Sequence, residues 1–238
     1  MFKQLIKHIL SLSGYVPVRK SFELPWVRRN KLLNYYGIEL VIDIGANAGQ
    51  YAGSLWKNGY KERIISFEPL SSVYKVLLNR ASGNHLWDTY NMALGDIDGE
   101  VEINVSENTL SSSVLDMLPE HVQSAPESRY VGKEIVKIRR LDTVFGEIVK
   151  DESNVFLKID VQGFEKKVLE GASEVLRKII GIQMELSLVP LYQAETTLIP
   201  MLELMRDMNY ELVGIEPGFT HPESGRLLQA DCIFIRDS

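Results

Sequence analysis

Short apolar runs and longer helical periods alternate along this chain, and their order predicts the fold. Runs of apolar and β-branched residues bounded by turn residues predict buried strands at 39–44, 63–67, 154–160, 180–185, 210–216 and 230–236. Apolar residues that recur every three or four positions predict helices at 28–36, 49–58, 70–80, 142–149, 164–177 and 195–208. Shorter turn-bounded or alternating patterns predict further strands at 91–96, 101–105 and 134–140.

This order of elements indicates an α/β protein. Strands that alternate with helices of this length form a parallel sheet with helices on both faces. Only the loop 217–229 separates the last two strands, so these two are expected to pair antiparallel. The expected fold is a Rossmann-like, doubly wound sheet of seven main strands, mostly parallel with an antiparallel last strand.

Two segments lie outside this pattern. Residues 1–38 are interpreted as an N-terminal helical extension that precedes the main domain, residues 39–238. Apolar residues fall on one side of residues 1–12 and two lysines on the other, which favours packing on the domain or on a second subunit over a membrane-surface anchor. Residues 106–131 are polar and serine-rich, and they are expected to form a lid or substrate loop unless they are a mere surface insertion.

Composition narrows the class of partner. With 26 basic and 32 acidic residues, the net charge of −6 argues against nucleic-acid binding, which needs a basic face. The single cysteine, Cys232, excludes an internal disulfide, fits a reducing compartment and, with four scattered histidines, shows no zinc-ligand spacing. No run reaches the ~18 apolar residues of a membrane span. We therefore expect a cytoplasmic protein without a metal, and a homo-oligomer stays open.

A glycine loop between the first strand and its helix carries the candidate chemistry. Gly45 and Gly49 stand where a strand turns into a helix, and glycines there let a ligand approach the backbone. The helix that follows offers free N–H groups. Glu68 comes roughly 20 residues later, at the end of the second strand, where a carboxylate accepts hydrogen bonds from ribose hydroxyls. The layout predicts a nucleoside-binding unit.

The spacing within the loop distinguishes between two nucleoside cofactors. Dinucleotide sites favour three glycines, because a pyrophosphate must lie on the turn. Here only Gly45 and Gly49 are present, and Asp43 lies beside them. An acid at this position would repel a pyrophosphate but suits the ammonium and sulfonium of S-adenosylmethionine. The loop therefore favours S-adenosylmethionine over NAD.

Several ordered motifs resemble the FkbM-type methyltransferases, from about residue 41 to about residue 235. They are Asp43-Ile44-Gly45-Ala46-Asn47, Phe67-Glu68-Pro69, Asn91-x-Ala93-x-Gly95, Leu141-Asp142-Thr143 and Lys158-Ile159-Asp160-Val161-Gln162-Gly163-Phe164-Glu165. One departure is Gln162, where the family often carries a glutamate. The resemblance implies the class I methyltransferase fold and O-methylation, with S-adenosylmethionine as cofactor and a sugar, glycan or natural product as acceptor.

The resemblance also implies a set of cofactor-binding residues. The methionine part and the ribose would contact the glycine loop, the ribose hydroxyls would bind the acid after the second strand, and the adenine would lie near the residues after the third strand. In chain order these residues are Asp43, Gly45, Ala46, Asn47, Gly49, Glu68, Pro69, Met92, Ala93, Asp96 and Asp160. For Met92 and Ala93 an ordinary place in the core is the alternative.

The catalytic candidates follow from the position of charged residues on two strands. Asp160 ends one parallel strand and Glu185 the next, at the edge where ligands bind in open α/β sheets. A sugar hydroxyl is a weak nucleophile, so one of these acids is hypothesised to be the general base. Lys158 is either part of the site or the structural partner of an acid, and His221 is either a second candidate base or a surface histidine. A divalent metal between the two acids has too few ligands to be predicted.

Two other functions remain compatible with this fold. An NAD-dependent oxidoreductase would use a similar sheet, although the glycine spacing is against it. A non-catalytic module would keep the fold and bind the cofactor without turnover. The choice of cofactor distinguishes the first alternative, and retained binding without turnover would identify the second.

Overall fold

A seven-stranded sheet organises the molecule. The computed structural model describes residues 24–236, and its strands in this part are β1 (Leu40–Ile44), β2 (Arg63–Phe67), β3 (Trp87–Tyr90), β4 (Ala93–Leu94), β5 (Gly99–Ser106), β6 (Tyr130–Arg139), β7 (Val155–Ile159), β8 (Ile179–Ser187), β9 (Tyr210–Pro217) and β10 (Gln229–Arg236). The main sheet has the order β3-β2-β1-β7-β8-β10-β9. Only β10 runs against its neighbours β8 and β9. The predicted α/β sheet with an antiparallel last strand is confirmed.

Seven helices connect the strands of this part of the chain. They are α1 (Pro25–Tyr35), α2 (Gln50–Lys57), α3 (Ser71–Ala81), α4 (Pro119–Ser124), α5 (Leu141–Ile148), α6 (Glu165–Glu170) and α7 (Leu198–Asp207). The helix predicted at 164–177 is too long, because α6 ends at Glu170 before a separate 3-10 turn at Leu176–Lys178. The reason is a close backbone contact: a Cβ on Gly171 would lie 1.8 Å from the carbonyl oxygen of Gly95.

A second, three-stranded sheet of order β4-β6-β5 was not predicted. The third strand of the main sheet is β3, which precedes the predicted strand 91–96, and Ala93–Leu94 pairs with β6 instead. Ile103 and Val136 pack on Leu70 and Val73 beside α3. One apolar face of the antiparallel pair β5–β6 therefore covers that helix, while the other face meets solvent.

The apolar core lies in two layers, one on each face of the main sheet. Leu40, Ile42 and Ile44 of β1 pack with α5, α6 and α7, whereas Val41 packs with α1, α2 and α3. On this second face a polar row crosses the sheet, since Asp43 is in register with Ser66 and Lys158, and Lys158 with Gln183. In β1, β2 and β7 this row lies one residue before the carboxyl end of the strand.

The predicted N-terminal extension is described only in part. Its residues 24–38 contain α1, while residues 1–12, with their predicted membrane or subunit contact, lie outside the described residues. Among residues 24–236, no helix combines the length and the apolar character needed to cross a bilayer.

The contact at Gly171 leads to a prediction about stability. Gly171→Ala should lower the free energy of unfolding by about 1–3 kcal/mol, because the new methyl group must displace backbone atoms. Gly146→Ala is the matched control: nothing lies within 4 Å of its Cβ, so α5 should gain about 0.5–1 kcal/mol. Urea unfolding measures both changes. Equal stability of the two variants would contradict the packing described for α6.

Candidate active site

The glycine loop after β1 lies against the end of β7. Gly45 has φ of 78°, and a Cβ on this residue would lie 1.9 Å from the carbonyl oxygen of Asp160. Gly49, with φ of 81°, immediately precedes α2, and a Cβ there would overlap the ring of Trp87 at 2.6 Å. Glycine is therefore required at both positions by backbone conformation and by space. The loop therefore touches the residue that follows β7, Asp160, through Gly45.

Glu68 holds this loop from the neighbouring strand. Its Oε2 accepts a hydrogen bond of 2.9 Å from the backbone N–H of Asn47, and its Oε1 accepts one of 2.8 Å from that of Leu70. The side chain is buried, and burial raises its pKa to about 7 despite these two donors. Its carboxylate thus changes charge close to neutral pH.

A cleft opens at the carboxyl ends of β1, β2 and β7. Of the predicted cofactor residues, those that line it are Gly45, Asn47, Glu68, Pro69, Met92, Ala93 and Asp160. Sequence reasoning missed its apolar wall, which includes Phe67, Leu70, Leu94 and Phe164. An apolar strand end or helix start carries no signal that separates a cleft wall from ordinary core. The cleft therefore has an apolar wall and, beside it, the carboxylates of Glu68 and Asp160.

The other predicted cofactor residues lie outside the cleft lining. Asp43 is fully buried beneath the loop, and Ala46 and Gly49 are also buried. Asp96 accepts a hydrogen bond of 2.8 Å from Lys167 Nζ, which is the geometry of a structural ion pair. A role of these four residues in cofactor binding stays a prediction.

The serine-rich segment 106–131 lies on this cleft. Thr109, Leu110, Ser112 and Val114 line it, and Asn47 Nδ2 donates a hydrogen bond of 3.4 Å to Thr109 Oγ1. The Leu110 side chain is 58% exposed although it lines the cleft. An exposed apolar side chain at the cleft mouth is available to a bound molecule, as the predicted substrate loop requires.

Lys158 lies between two acids below the cleft. Its Nζ donates a hydrogen bond of 2.8 Å to Asp160 Oδ2 and lies 3.9 Å from Asp43 Oδ1. Burial opposes its charge, but the Asp160 and Asp43 carboxylates outweigh burial and raise the pKa of the ammonium. Burial in turn raises the pKa of Asp43 to about 6. The sequence left open whether Lys158 is part of the site or the structural partner of an acid. The observed geometry is that of a structural ion pair.

Gln162 joins the two candidate bases. Its Nε2 donates a hydrogen bond of 2.7 Å to Asp160 Oδ1 and one of 2.8 Å to Glu185 Oε2. Burial, and then the neighbouring Asp160 and Asp231 carboxylates, raise the pKa of Glu185 well above its usual value. The two acids predicted to meet at the sheet edge are thus brought together. The bridging role of Gln162 was missed, because it depends on a left-handed backbone that pattern analysis does not detect.

His221 is positioned differently. It is absent from the cleft lining, and its Nδ1 accepts hydrogen bonds of 3.3 Å from the backbone N–H groups of Glu223 and Ser224. These bonds close the turn between β9 and β10. A role as base stays a prediction, and the observed bonds match the alternative of a surface histidine.

The arrangement suits binding of a cationic nucleoside and proton transfer. Asp43 Oδ1 is buried without a hydrogen-bond partner, and Glu68 offers carboxylate oxygens at the cleft. Within residues 24–236, no three His, Cys, Asp or Glu side chains are grouped so that they could hold a metal ion. The functional groups that meet here are carboxylates, a primary amide and one buried ammonium.

A family model identifies the chain. The model of the Methyltransferase FkbM domain matches residues 43–212, and the chain therefore belongs to this family. S-adenosylmethionine is the cofactor, and methyl transfer is the reaction class. Membership thus favours the methyltransferase interpretation over an NAD-dependent oxidoreductase. None of the curated proteins matches the sequence.

Solved structures show the same fold. A protein from Listeria monocytogenes, provisionally assigned as an S-adenosylmethionine dependent methyltransferase, has a TM-score of 0.51 at 8% identity over 90% of this chain and 98% of that chain. Aeropyrum pernix fibrillarin with natively bound S-adenosyl-L-methionine has a TM-score of 0.46 at 10% identity over 83% of this chain. This chain spans 66% of the fibrillarin chain. The likeness to the Listeria protein shows the fold alone.

The ion pair at Lys158 gives a prediction with a defined pH dependence. Lys158→Met leaves the fully buried Asp43 carboxylate and the partly exposed Asp160 carboxylate without their cation, which costs about 3–5 kcal/mol of unfolding free energy near pH 8. The folded-state pKa of Asp43, already about 6, should rise further above its unfolded value. The cost is then present above that pKa and lost as the pH falls through it.

The measurement is urea unfolding of Lys158→Met at pH 8 and pH 5, with exposed Lys166→Met as control. We expect a smaller loss at pH 5 than at pH 8 for the first variant and little change for the second. An equal loss at both pH values would mean that packing, not charge, explains the effect.

Proposed function

We propose that this methyltransferase acts on an acceptor hydroxyl of a sugar, glycan or natural product, so that the reaction is an O-methylation. The observation that carries the proposal is the pair of linked carboxylates, Asp160 and Glu185, at the edge of the cofactor cleft. A hydroxyl must lose a proton as its oxygen attacks, and this pair can accept one. The exposed Leu110 and the serines beside it supply a mixed surface for the acceptor.

The residues of the cleft fit S-adenosylmethionine. Glu68 is an acceptor for ribose hydroxyls, and the buried Asp43 Oδ1, which lacks a hydrogen-bond partner, places negative charge below the cationic part. Met92, Ala93 and Phe164 offer apolar surface to the adenine. Gly45 and Asn47 bring backbone groups to the floor of the same cleft.

The mechanism assigns separate tasks to the side chains. The bound cofactor supplies an electrophilic methyl group on a cationic sulfur. Asp160 lines the cleft, and Glu185 lies one strand away at the same edge. One of these carboxylates takes the acceptor proton as the oxygen attacks, while Lys158 keeps the Asp160 carboxylate in place. Positioning and electrostatics supply the remaining acceleration.

The pKa of Glu68 leads to a prediction for cofactor binding. Since the carboxylate must be charged to accept both ribose hydroxyls, the affinity for S-adenosylmethionine should be constant above pH 8 and fall as the pH drops below about 7. The expected slope approaches tenfold per pH unit, as linkage to one proton requires. Isothermal titration calorimetry from pH 6 to pH 8 measures it.

Glu68→Gln removes the titrating group, and should abolish this slope while weakening binding by roughly 10- to 100-fold. Glu203→Gln, an exposed change on α7, should leave both properties as in the wild type. A slope that persists unchanged in Glu68→Gln would assign the proton to another group.

A second prediction tests the base. Asp160→Asn or Glu185→Gln should lower kcat by roughly 100-fold, because a general base contributes about that factor, while S-adenosylmethionine still binds. Turnover is followed as S-adenosylhomocysteine release with a panel of hydroxylated sugars. Exposed Asp207→Asn and Glu203→Gln are the charge-matched controls.

If both base variants retain full turnover, the assignment of the base is wrong. If the wild-type protein binds S-adenosylmethionine but turns over none of the acceptors, the result supports a non-catalytic binding module instead.

A further inference from the structure

The carboxylates of Asp160 and Glu185 share one hydrogen-bond donor. Asp160 directly follows Ile159, which is in register with Met184, so the two acids lie side by side on neighbouring strands. Both accept from Gln162 Nε2, at 2.7 and 2.8 Å. A primary amide nitrogen carries two hydrogens, one for each carboxylate. Without these two N–H groups, the two negative charges would face each other in a half-buried site.

The rest of the Gln162 residue is held in place by other groups. The hydroxyl of the fully buried Tyr192 donates a hydrogen bond of 2.7 Å to its Oε1. Ser113 Oγ donates one of 2.6 Å to its backbone carbonyl oxygen. Its φ is 56°, in the left-handed region, which costs free energy for a residue with a side chain. Two separate hydrogen bonds thus support a strained backbone that orients this one amide.

The two carboxylates differ in the use of the oxygen that does not accept from Gln162. Asp160 uses its second oxygen for Lys158. Within the described part of the chain, Glu185 Oε1 makes no hydrogen bond, so Glu185 keeps an oxygen that can accept from a bound molecule. The titratable and charged groups that face this cluster from the surrounding elements are Lys158, Arg29, Asp43, Tyr51, Glu165, Tyr192 and Asp231.

We propose that Gln162 is a positioning residue for methyl transfer, which holds Asp160 and Glu185 together as one proton-accepting pair. The amide donates to both carboxylates and takes no proton itself. The amide N–H groups therefore let the two acids stay close at neutral pH. The hydrogen bond from Tyr192 to Gln162 Oε1 fixes the amide, and with it the orientation of the two carboxylates. This inference rests on the function proposed above, because the pair is assigned there as the base.

Gln162→Glu introduces the residue that the family often carries here, and in this chain it keeps the shape while it replaces the two N–H donors by an acceptor oxygen. We expect kcat at pH 7 to fall by roughly 100-fold, with little change in the Kd of S-adenosylmethionine. The acid limb of the kcat–pH profile should move upward by at least about one unit, because a third carboxylate raises the pKa of the others. Loss of activity from misfolding would instead lower kcat equally at every pH.

Two further variants separate charge from shape. Gln162→Met removes both donors without adding a charge, and should shift the acid limb in the same direction by a smaller amount. Exposed Gln193→Glu adds the same charge elsewhere and should leave the profile as in the wild type. All assays contain EDTA, since three grouped carboxylates could bind a divalent cation.

A readout without an acceptor distinguishes this proposal from the proposed function. The carboxyl group added by Gln162→Glu should have a folded-state pKa above its unfolded value, so its cost to stability grows as the pH rises through that value. The urea midpoint of Gln162→Glu should therefore fall further below that of the wild type at pH 8 than at pH 5. Gln193→Glu should show no such divergence.

The outcomes are separable. No turnover by the wild type, with the pH-dependent loss of stability present, would refute the proposed function and leave the linkage of the carboxylates intact. Unshifted acid limbs in both Gln162 variants, or equal stability losses at pH 5 and pH 8, would overturn the role of Gln162.

Discussion

One buried cation allows acidic residues to gather at the centre of this sheet. The Lys158 ammonium is 7% exposed and lies within 4 Å of both Asp43 and Asp160. Buried carboxylates without a cation would be neutral or would disrupt the register of β1 and β7. With Lys158 in place, the strands stay in register, the glycine loop can lie against Asp160, and the cleft keeps its negative floor. The two acids that lie below and beside the cleft therefore depend on this ion pair.

Much of the fold follows from local pattern, and the departures have local causes. The carboxyl ends of the strands predicted at 39–44, 63–67 and 154–160 are placed to within one residue by local pattern, and parallel strands direct these ends to one edge. The early end of α6 is not predictable, because it depends on a backbone contact with Gly95. The separate β4-β6-β5 sheet was missed for a similar reason, since its alternating strands would fit either sheet.

The site divides in the same way. Residue type and spacing identify Glu68 and the glycines, because their chemistry is tied to a position in the turn. The bridge at Gln162 arises from a left-handed backbone and from Tyr192, thirty positions further along the chain. Asp96 shows the opposite case. Its place after the third strand predicts a cofactor residue, but its carboxylate forms an ion pair with Lys167. Contacts between residues far apart in the chain, such as these two, cannot be predicted from the local sequence pattern.

The contact between Gly45 and the Asp160 carbonyl oxygen also determines which parts of the molecule are exchangeable. Because the glycine loop and the end of β7 touch through backbone atoms, neither can be replaced without refitting the other. The segment 106–131 meets the cleft chiefly through side chains such as Thr109 and Leu110. New sequences grafted into that segment would therefore alter the cleft wall without disturbing the backbone contact between β1 and β7.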